Sequence, residues 1–116
     1  MPLTTRQMQG NAGEDEALAH LQGQGLVLVE RNFRCKGGEI DLIMRDGAGL
    51  VFVEVRQRAG ASFGGAVASV TPAKQRRLIH AAQFYLLHIK PLPPCRFDLV
   101  AIDGGKLSWL KNVLEV

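Results

Sequence analysis

Two apolar segments carry acids at strand spacing and are joined by Asp46-Gly47-Ala48-Gly49: Glu39-Ile40-Asp41-Leu42-Ile43 and Val51-Phe52-Val53-Glu54-Val55-Arg56. This pattern constrains the chain more than any other. A strand points alternate residues to the same side. Glu39 and Asp41 therefore share one face of the first segment, and Glu54 and Arg56 one face of the second, while Val51, Val53 and Val55 face the other way. The Gly-containing connection has hairpin length. Paired strands lie about 4.8 Å apart, so Asp41 and Glu54 are predicted to reach one common point. Acids beside a cation on apolar strands suggest a metal and phosphate site. The plainer alternative is cross-strand ion pairing on a wet sheet face. Against it, Glu54 lies within the apolar run from Leu50 to Val55, where an isolated charge is costly.

The flanking segments supply the rest of an α/β fold. A helix is predicted from Thr5 to Gln24, capped by Thr4 or Thr5, ended by Gly25 and weakened in its first half by Gly10 and Gly13. Leu18 and Leu21 mark its buried stripe, and Glu14 lies on that stripe, where a carboxylate needs a partner or a cleft. Leu26 to Val29 reads as a strand that can extend to Phe33, Lys36-Gly37-Gly38 as a turn, and Glu39 to Arg45 as the next strand. On that strand Ile40, Leu42 and Met44 are expected opposite Glu39, Asp41 and Ile43. Leu50 to Arg58 is apolar on both faces and is expected at the centre of the sheet. Ala59 to Ser69 reads as a loop. Thr71-Pro72 starts a helix running to about His88, with Leu78, Ala81, Ala82, Tyr85 and Leu86 as its core stripe. Arg96 to Ile102 and Leu107 to Leu110 close the sheet. The expected architecture is a single mixed β-sheet in the order α-β-β-β-α-β-β, flanked by helices, as one domain over residues 1–116.

Composition enters through the placement of charge. The net charge is only +3, but no Asp or Glu occurs from Val55 to Phe97, where Arg56, Arg58, Lys74, Arg76, Arg77, Lys90 and Arg96 all fall. One basic side beside an acidic site is expected, against the plainer reading of a solvated helix face. Cys35 and Cys95 make no metal-ligand pattern and read as reduced thiols. No apolar run approaches the ~20 residues of a membrane span, and Met1 to Asn11 lacks an apolar signal core, so a cytoplasmic protein is expected. His20, His80 and His88 share no ligand spacing, and no GxxxxGK[ST] phosphate loop is present.

These residues permit a specific chemistry. Asp41 and Glu54, with the carbonyl of Val55, are candidate ligands for Mg²⁺ or Mn²⁺, which bind a few carboxylates, waters and phosphate oxygens. Arg56 is placed to hold a phosphate, and Glu14 to complete the acidic cluster. Arg34, Lys36, Arg58, Lys74 and Arg77 are candidate contacts to nucleic-acid phosphates. Lys74 leads among them because it shares a stripe with Leu78, Ala81 and Tyr85, although a snorkelling stem accounts for the same placement.

The combination resembles a known family. Asn11-Ala12-Gly13-Glu14, Asn32-Phe33-Arg34, Gly38-Glu39-Ile40-Asp41-Leu42-Ile43, Val51-Phe52-Val53-Glu54-Val55-Arg56-Gln57-Arg58, Phe63-Gly64, Val70 with Lys74-Gln75-Arg76-Arg77-Leu78, and Arg96-Phe97-Asp98-Leu99-Val100 together look like the YraN-like family of small bacterial proteins. The resemblance runs from about Asn11 to Asp103. It implies a restriction-endonuclease-like core of the PD-(D/E)XK superfamily, similar to archaeal Holliday-junction resolvases. It also implies that Asp41 is the metal-binding aspartate, Glu54 the acid of the E-x-K element, and Glu14 the acid of the first helix. Arg56 stands where that element has lysine. Arginine stays charged where a buried lysine can lose its proton, but it still stabilises negative charge.

Three functions follow. The first is a metal-dependent nuclease acting on DNA, branched or otherwise structured, for which the superfamily resemblance implies a 5′-phosphate and a 3′-hydroxyl as products and the junction-resolvase resemblance a homodimer. The second is a nucleic-acid-binding module of the same fold that has lost turnover through Arg56. The third is a protein-interaction domain whose acids form only ion pairs.

Overall fold

The computed structural model describes residues 5–58 and 65–114, with side chains for residues 12–58 and 67–114. In chain order the elements are α1 (Thr5–Gly23), β1 (Val27–Cys35), β2 (Gly38–Asp46), β3 (Gly49–Arg58), α2 (Gly65–Ala68), α3 (Pro72–Leu86), β4 (Cys95–Asp103) and β5 (Lys106–Leu110). The strands form one sheet in the order β1-β2-β3-β4-β5. Only β3 and β4 run parallel, so the sheet is mixed and the helices α2 and α3 lie in the crossover between them. The central position of β3 is the one expected from its apolar faces.

Alternation along β3 divides the core into two layers. Val51 and Val53 pack with Leu42, Met44 and Val100 against Ala17 and Leu21 of α1. Phe52 packs with Ile43 and Phe97 against Leu78, Ala81 and Ala82 of α3. Each layer lets the sheet hide an apolar face under a helix. Among the described residues no helix is long and apolar enough to cross a membrane.

The termini of the helices follow from local chemistry. Gly25, at φ +96°, takes the left-handed conformation after α1; Leu26 N–H donates to Leu21 O at 3.1 Å and Gly25 N–H to Gln22 O at 3.0 Å. These two bonds satisfy carbonyls that the helix end would otherwise leave open. The Thr71 hydroxyl accepts from Lys74 N–H at 3.3 Å, with Pro72 in the first turn of α3, as its sequence predicts.

α1 runs from Thr5 through Gly10 and Gly13 to Gly23, within a residue of its expected bounds. Four expectations need correction. β1 runs to Cys35, because pairing with β2 carries it past Phe33, with an irregularity between Leu28 and Glu30. α3 ends at Leu86 rather than near His88. Ile40 packs in the α3 layer with Ile43 rather than with Leu42 and Met44. The physical reason is that the β2–β3 ladder stops at Leu42↔Val53, while β2 stays paired to β1 down to Gly38. The first part of β2 is thus freed from β3 and follows β1. The segment read as one loop from Ala59 to Ser69 contains α2 at its end, and residues 59–64 lie outside the described residues.

Candidate functional site

The point where β2 and β3 part company is where the acids gather. Beyond Leu42↔Val53 the strands diverge, and Val55 N–H, without a ladder partner on β2, donates to Asp41 Oδ2 at 2.8 Å. A side chain thus replaces the ladder at the mouth of the fork. One residue back, Glu54 lies on the α3 side of β3 and is only 7 % exposed. Burial pushes its carboxyl up to about 9, and the facing Asp41 carboxylate pushes the same way, through charge and through a hydrogen bond between the two side chains.

The third acid comes from α1. Gly13 is buried where α1 crosses β3; a Cβ there would come 2.6 Å from Oε1 of Gln57. That close approach sets the next residue, Glu14, beside the fork. Burial raises the Glu14 carboxyl, and Asp41 raises it further, against the lowering effect of Arg31. Glu14 Oε1 lies 3.7 Å from Arg31 Nη2 and accepts no hydrogen bond although it is buried. Asp41 is therefore the shared neighbour of Glu14 and Glu54.

Cations reach the acid pair from two sides. Lys74 Nζ of α3 lies 4.0 Å from Glu54 Oε1. Arg56, on the same face of β3 as Glu54, donates from Nε to Ser69 Oγ at 2.9 Å, which holds the guanidinium near enough to oppose the rise at Glu54. The four side chains singled out by the sequence, Glu14, Asp41, Glu54 and Arg56, are thus brought together by α1, β2 and β3. A small cleft lined by Glu39, Glu54, Lys74, Arg77 and Leu78 opens beside Glu54. On its other side, a cavity of about 120 Å³ lies between the sheet and α3, with Glu54, Phe52, Leu78 and Phe97 in its wall.

The donor set suits a hard divalent ion in one particular way. Among the described residues, no three His, Cys, Asp or Glu side chains form a ready-made ligand cluster. What exists is a pair, Asp41 and Glu54, with Glu14 behind it. Mg²⁺ takes one or two carboxylates and fills its remaining positions with water and phosphate oxygens, so a pair is the fitting arrangement. Burial and the facing Asp41 keep the proton on Glu54 despite Lys74 and Arg56, and Glu14 Oε1, although 3.7 Å from Arg31 Nη2, accepts no hydrogen bond.

The basic candidates divide. Lys74 and Arg77 line the cleft with Glu54. Arg34 is exposed and sits 3.7 Å from Glu39, and Lys36 is exposed at the β1–β2 turn, where its carbonyl accepts from His80 Nε2 at 2.9 Å. Arg58 is exposed at the end of β3, opposite Asp103, and does not line the cleft. Sequence reasoning missed Arg31, which ties Glu14 and Asp15 to β1, with 2.9 Å to Asp15. It also missed Ser69, the anchor of Arg56. A signal for Ser69 was available: an arginine on an apolar strand needs an acceptor, and Ser69 lies just ahead of the Thr71-Pro72 helix start.

Residues 13–102, a span holding all four converging side chains, match the model of the uncharacterised protein family UPF0102. A UPF0102 protein of Herminiimonas arsenicoxydans is 63% identical over 114 residues, covering 98% of this chain and 92% of that protein. One from Janthinobacterium sp. (strain Marseille) is 61% identical over 114 residues, with 98% and 93% covered. One from Cupriavidus necator is 60% identical over 115 residues, with 97% and 87% covered.

Proposed function

The chain belongs to the UPF0102 family, the YraN-like family its motifs resemble, and from that premise we propose that it is a metal-dependent nuclease hydrolysing phosphodiester bonds in DNA, with branched or otherwise structured DNA as the favoured substrate. The observation that carries this reading is the Asp41–Glu54 pair at the β2–β3 fork: two facing carboxyls, one fixed by a backbone N–H, the other kept protonated by burial and by the acid it faces. Such a pair is costly for folding alone and useful for holding a cation.

Asp41 and Glu54 would hold Mg²⁺ or Mn²⁺, with Glu14 supporting Asp41 from α1. Bound there, the ion supplies Lewis acidity toward a phosphate oxygen and lowers the pKa of an attacking water. Val55 N–H keeps Asp41 in one orientation. Arg56, held by Ser69, and Lys74, at the rim, oppose the negative charge that builds on the phosphate as the water oxygen attacks. The bond to the 3′-oxygen breaks, that oxygen takes a proton, and the products are a 3′-hydroxyl and a 5′-phosphate. A cytoplasmic location and a homodimer, which would place two such sites on one branched substrate, belong to the same proposal.

The test is cleavage of single-stranded, duplex and four-way-junction DNA with Mg²⁺ or Mn²⁺, beside Asp41→Ala and Glu54→Ala. Loss in both variants supports the reading, and equal activity in all three proteins rejects it. A second reading, a nucleic-acid-binding module without turnover, is favoured by Arg56 itself, which stays charged where a lysine could shed a proton. Arg56→Lys separates the two: cleavage that appears only in the variant supports lost chemistry.

A further inference from the structure

We propose that the N-terminal half of α3 and the β1–β2 turn form a track for the phosphodiester backbone of one nucleic-acid strand, running from the Asp41–Glu54 pair through Lys74 and Arg77 to Arg76, His80 and Gly37. The proposal deepens the reading above and rests on its nucleic-acid part, not on its hydrolytic part.

Continuity is the first argument. The cleft that opens from Glu54 is lined by Lys74 and Arg77, and a wider, shallow depression is lined by Gly37, Ala73, Arg76, Arg77 and His80. Arg77 borders both, so they are neighbours along α3. Spacing is the second. Lys74, Arg77 and His80 recur every three residues and so stand on one ridge of α3. At 1.5 Å per residue the ridge covers about 9 Å, the axial length of two to three phosphates on one strand of a duplex. Charge is the third. α3 contains no acid at all, so its cations are not neutralised along their own helix.

The track is also rigid. A Cβ on Gly38 would collide with the backbone carbonyl of Arg77 and would come 3.0 Å from the Ala81 Cβ, so α3 rests directly on the start of β2. His80 Nε2–H then donates to the Lys36 carbonyl at 2.9 Å and locks the turn to the helix. Groups fixed before binding lose less freedom when they bind. The depression is shallow, and its polar lining consists of two guanidiniums and one imidazole that already donates to the Lys36 carbonyl. Cations on an open surface suit backbone contacts, which position a strand without selecting sequence.

Fluorescence anisotropy in EDTA tests the track, using one oligonucleotide made as single-stranded DNA and as RNA, titrated with salt. Wild type is compared with Arg76→Gln/Arg77→Gln and with Lys90→Gln/Lys106→Gln, which removes the same charge elsewhere. Neutralising two phosphate contacts lowers the slope of log affinity against log salt by about 1.4 for a single strand. That drop is expected in the Arg76/Arg77 variant, for DNA and RNA alike, and not in the control. Equal slopes in the two variants overturn the track. Retained cleavage by wild type alongside equal slopes rejects the track alone. The expected slope change without Mg²⁺-dependent cleavage rejects the hydrolytic reading alone. Absence of binding by wild type rejects the track and the nucleic-acid reading together.

Discussion

Two buried carboxylates sit on neighbouring central strands and have opposite surroundings. Asp98 on β4 is 1% exposed and saturated: Arg96 Nε donates to both its oxygens at 3.1 and 3.2 Å, Trp109 Nε1 at 2.9 Å and Asn112 N–H at 3.0 Å. Glu54 on β3 is 7% exposed and faces another carboxylate, with a lysine no closer than 4.0 Å. Asp98 joins β4 to β5 and to the segment after it, and Arg96 carries the link on to Asp46 in the β2–β3 hairpin at 3.0 Å. Every lone pair that matters there is used by the chain itself. At Glu54 the chain supplies only Lys74 at 4.0 Å and the nearby Arg56, and burial keeps the carboxyl protonated. A saturated buried acid holds a fold together, whereas an unsaturated one stands ready for a ligand.

The comparison breaks most visibly if Asp98 proves dispensable. Asp98→Ala leaves Arg96 without its buried partner and orphans the Trp109 and Asn112 donors. Removing one member of such a pair costs about 3–5 kcal/mol, and chemical denaturation should report a loss of that size. Glu54→Gln should behave in the opposite sense. The folded Glu54 carboxyl keeps its proton to about pH 9, whereas the unfolded one releases it near 4.5. Between those values the folded chain binds more protons, so the metal-free protein loses stability as pH rises across that window. The contribution is full below the lower value and gone above the upper one. Glu54→Gln should flatten that part of the profile and leave the metal-free protein at least as stable as wild type at pH 8. A drop as large as that of Asp98→Ala would show that both acids are structural.

Divalent ions sharpen the contrast by a smaller amount. A ligand at a hundred times its dissociation constant stabilises by about 2.7 kcal/mol. Mg²⁺ or Mn²⁺ should raise the melting temperature of wild type, with a larger rise at pH 8 than at pH 6, because the proton on Glu54 competes with the ion. Asp41→Asn should abolish the rise, and Asp98 should play no part in it. Calorimetry with Mn²⁺ that finds no saturable binding would leave the acids as an ion-pair network.

Much of this contrast was legible in the sequence, but unevenly. Asp41, Glu54 and Arg56 are readable because strand periodicity alone assigns their faces, and Glu14 because it falls on an apolar helical stripe. The element order follows from Gly25, the Asp46–Gly49 loop, Thr71-Pro72 and the prolines after α3. What periodicity does not carry is the divergence of β2 from β3, so Ile40 was assigned to the wrong layer and the capture of Val55 N–H by Asp41 went unseen. Asp98 escaped notice as a hub because its partners, Trp109 and Asn112, become neighbours only when β5 folds back on β4. Arg31 escaped because its pairing crosses from β1 to α1.

The finest test removes a single donor from the saturated acid. Trp109→Phe keeps the apolar ring and deletes the Nε1–H that reaches Asp98 Oδ2 at 2.9 Å. Arg96 and Asn112 remain, so the carboxylate is under-supplied rather than abandoned. A hydrogen bond to a charged group is worth about 1.5–3 kcal/mol, and a loss at the lower end is expected, because Arg96 Nε still reaches the same oxygen at 3.2 Å. The variant should leave any response to Mn²⁺ unchanged, since Asp98 faces the C-terminal segment and the Asp41–Glu54 pair lies at the fork. If Trp109→Phe instead weakens Mn²⁺ binding, the two acids are coupled across the β3–β4 ladder, where Asp98 is in register with Val53, the residue before Glu54. The division between a structural and a ligand-binding carboxylate would then have to be redrawn as one extended network.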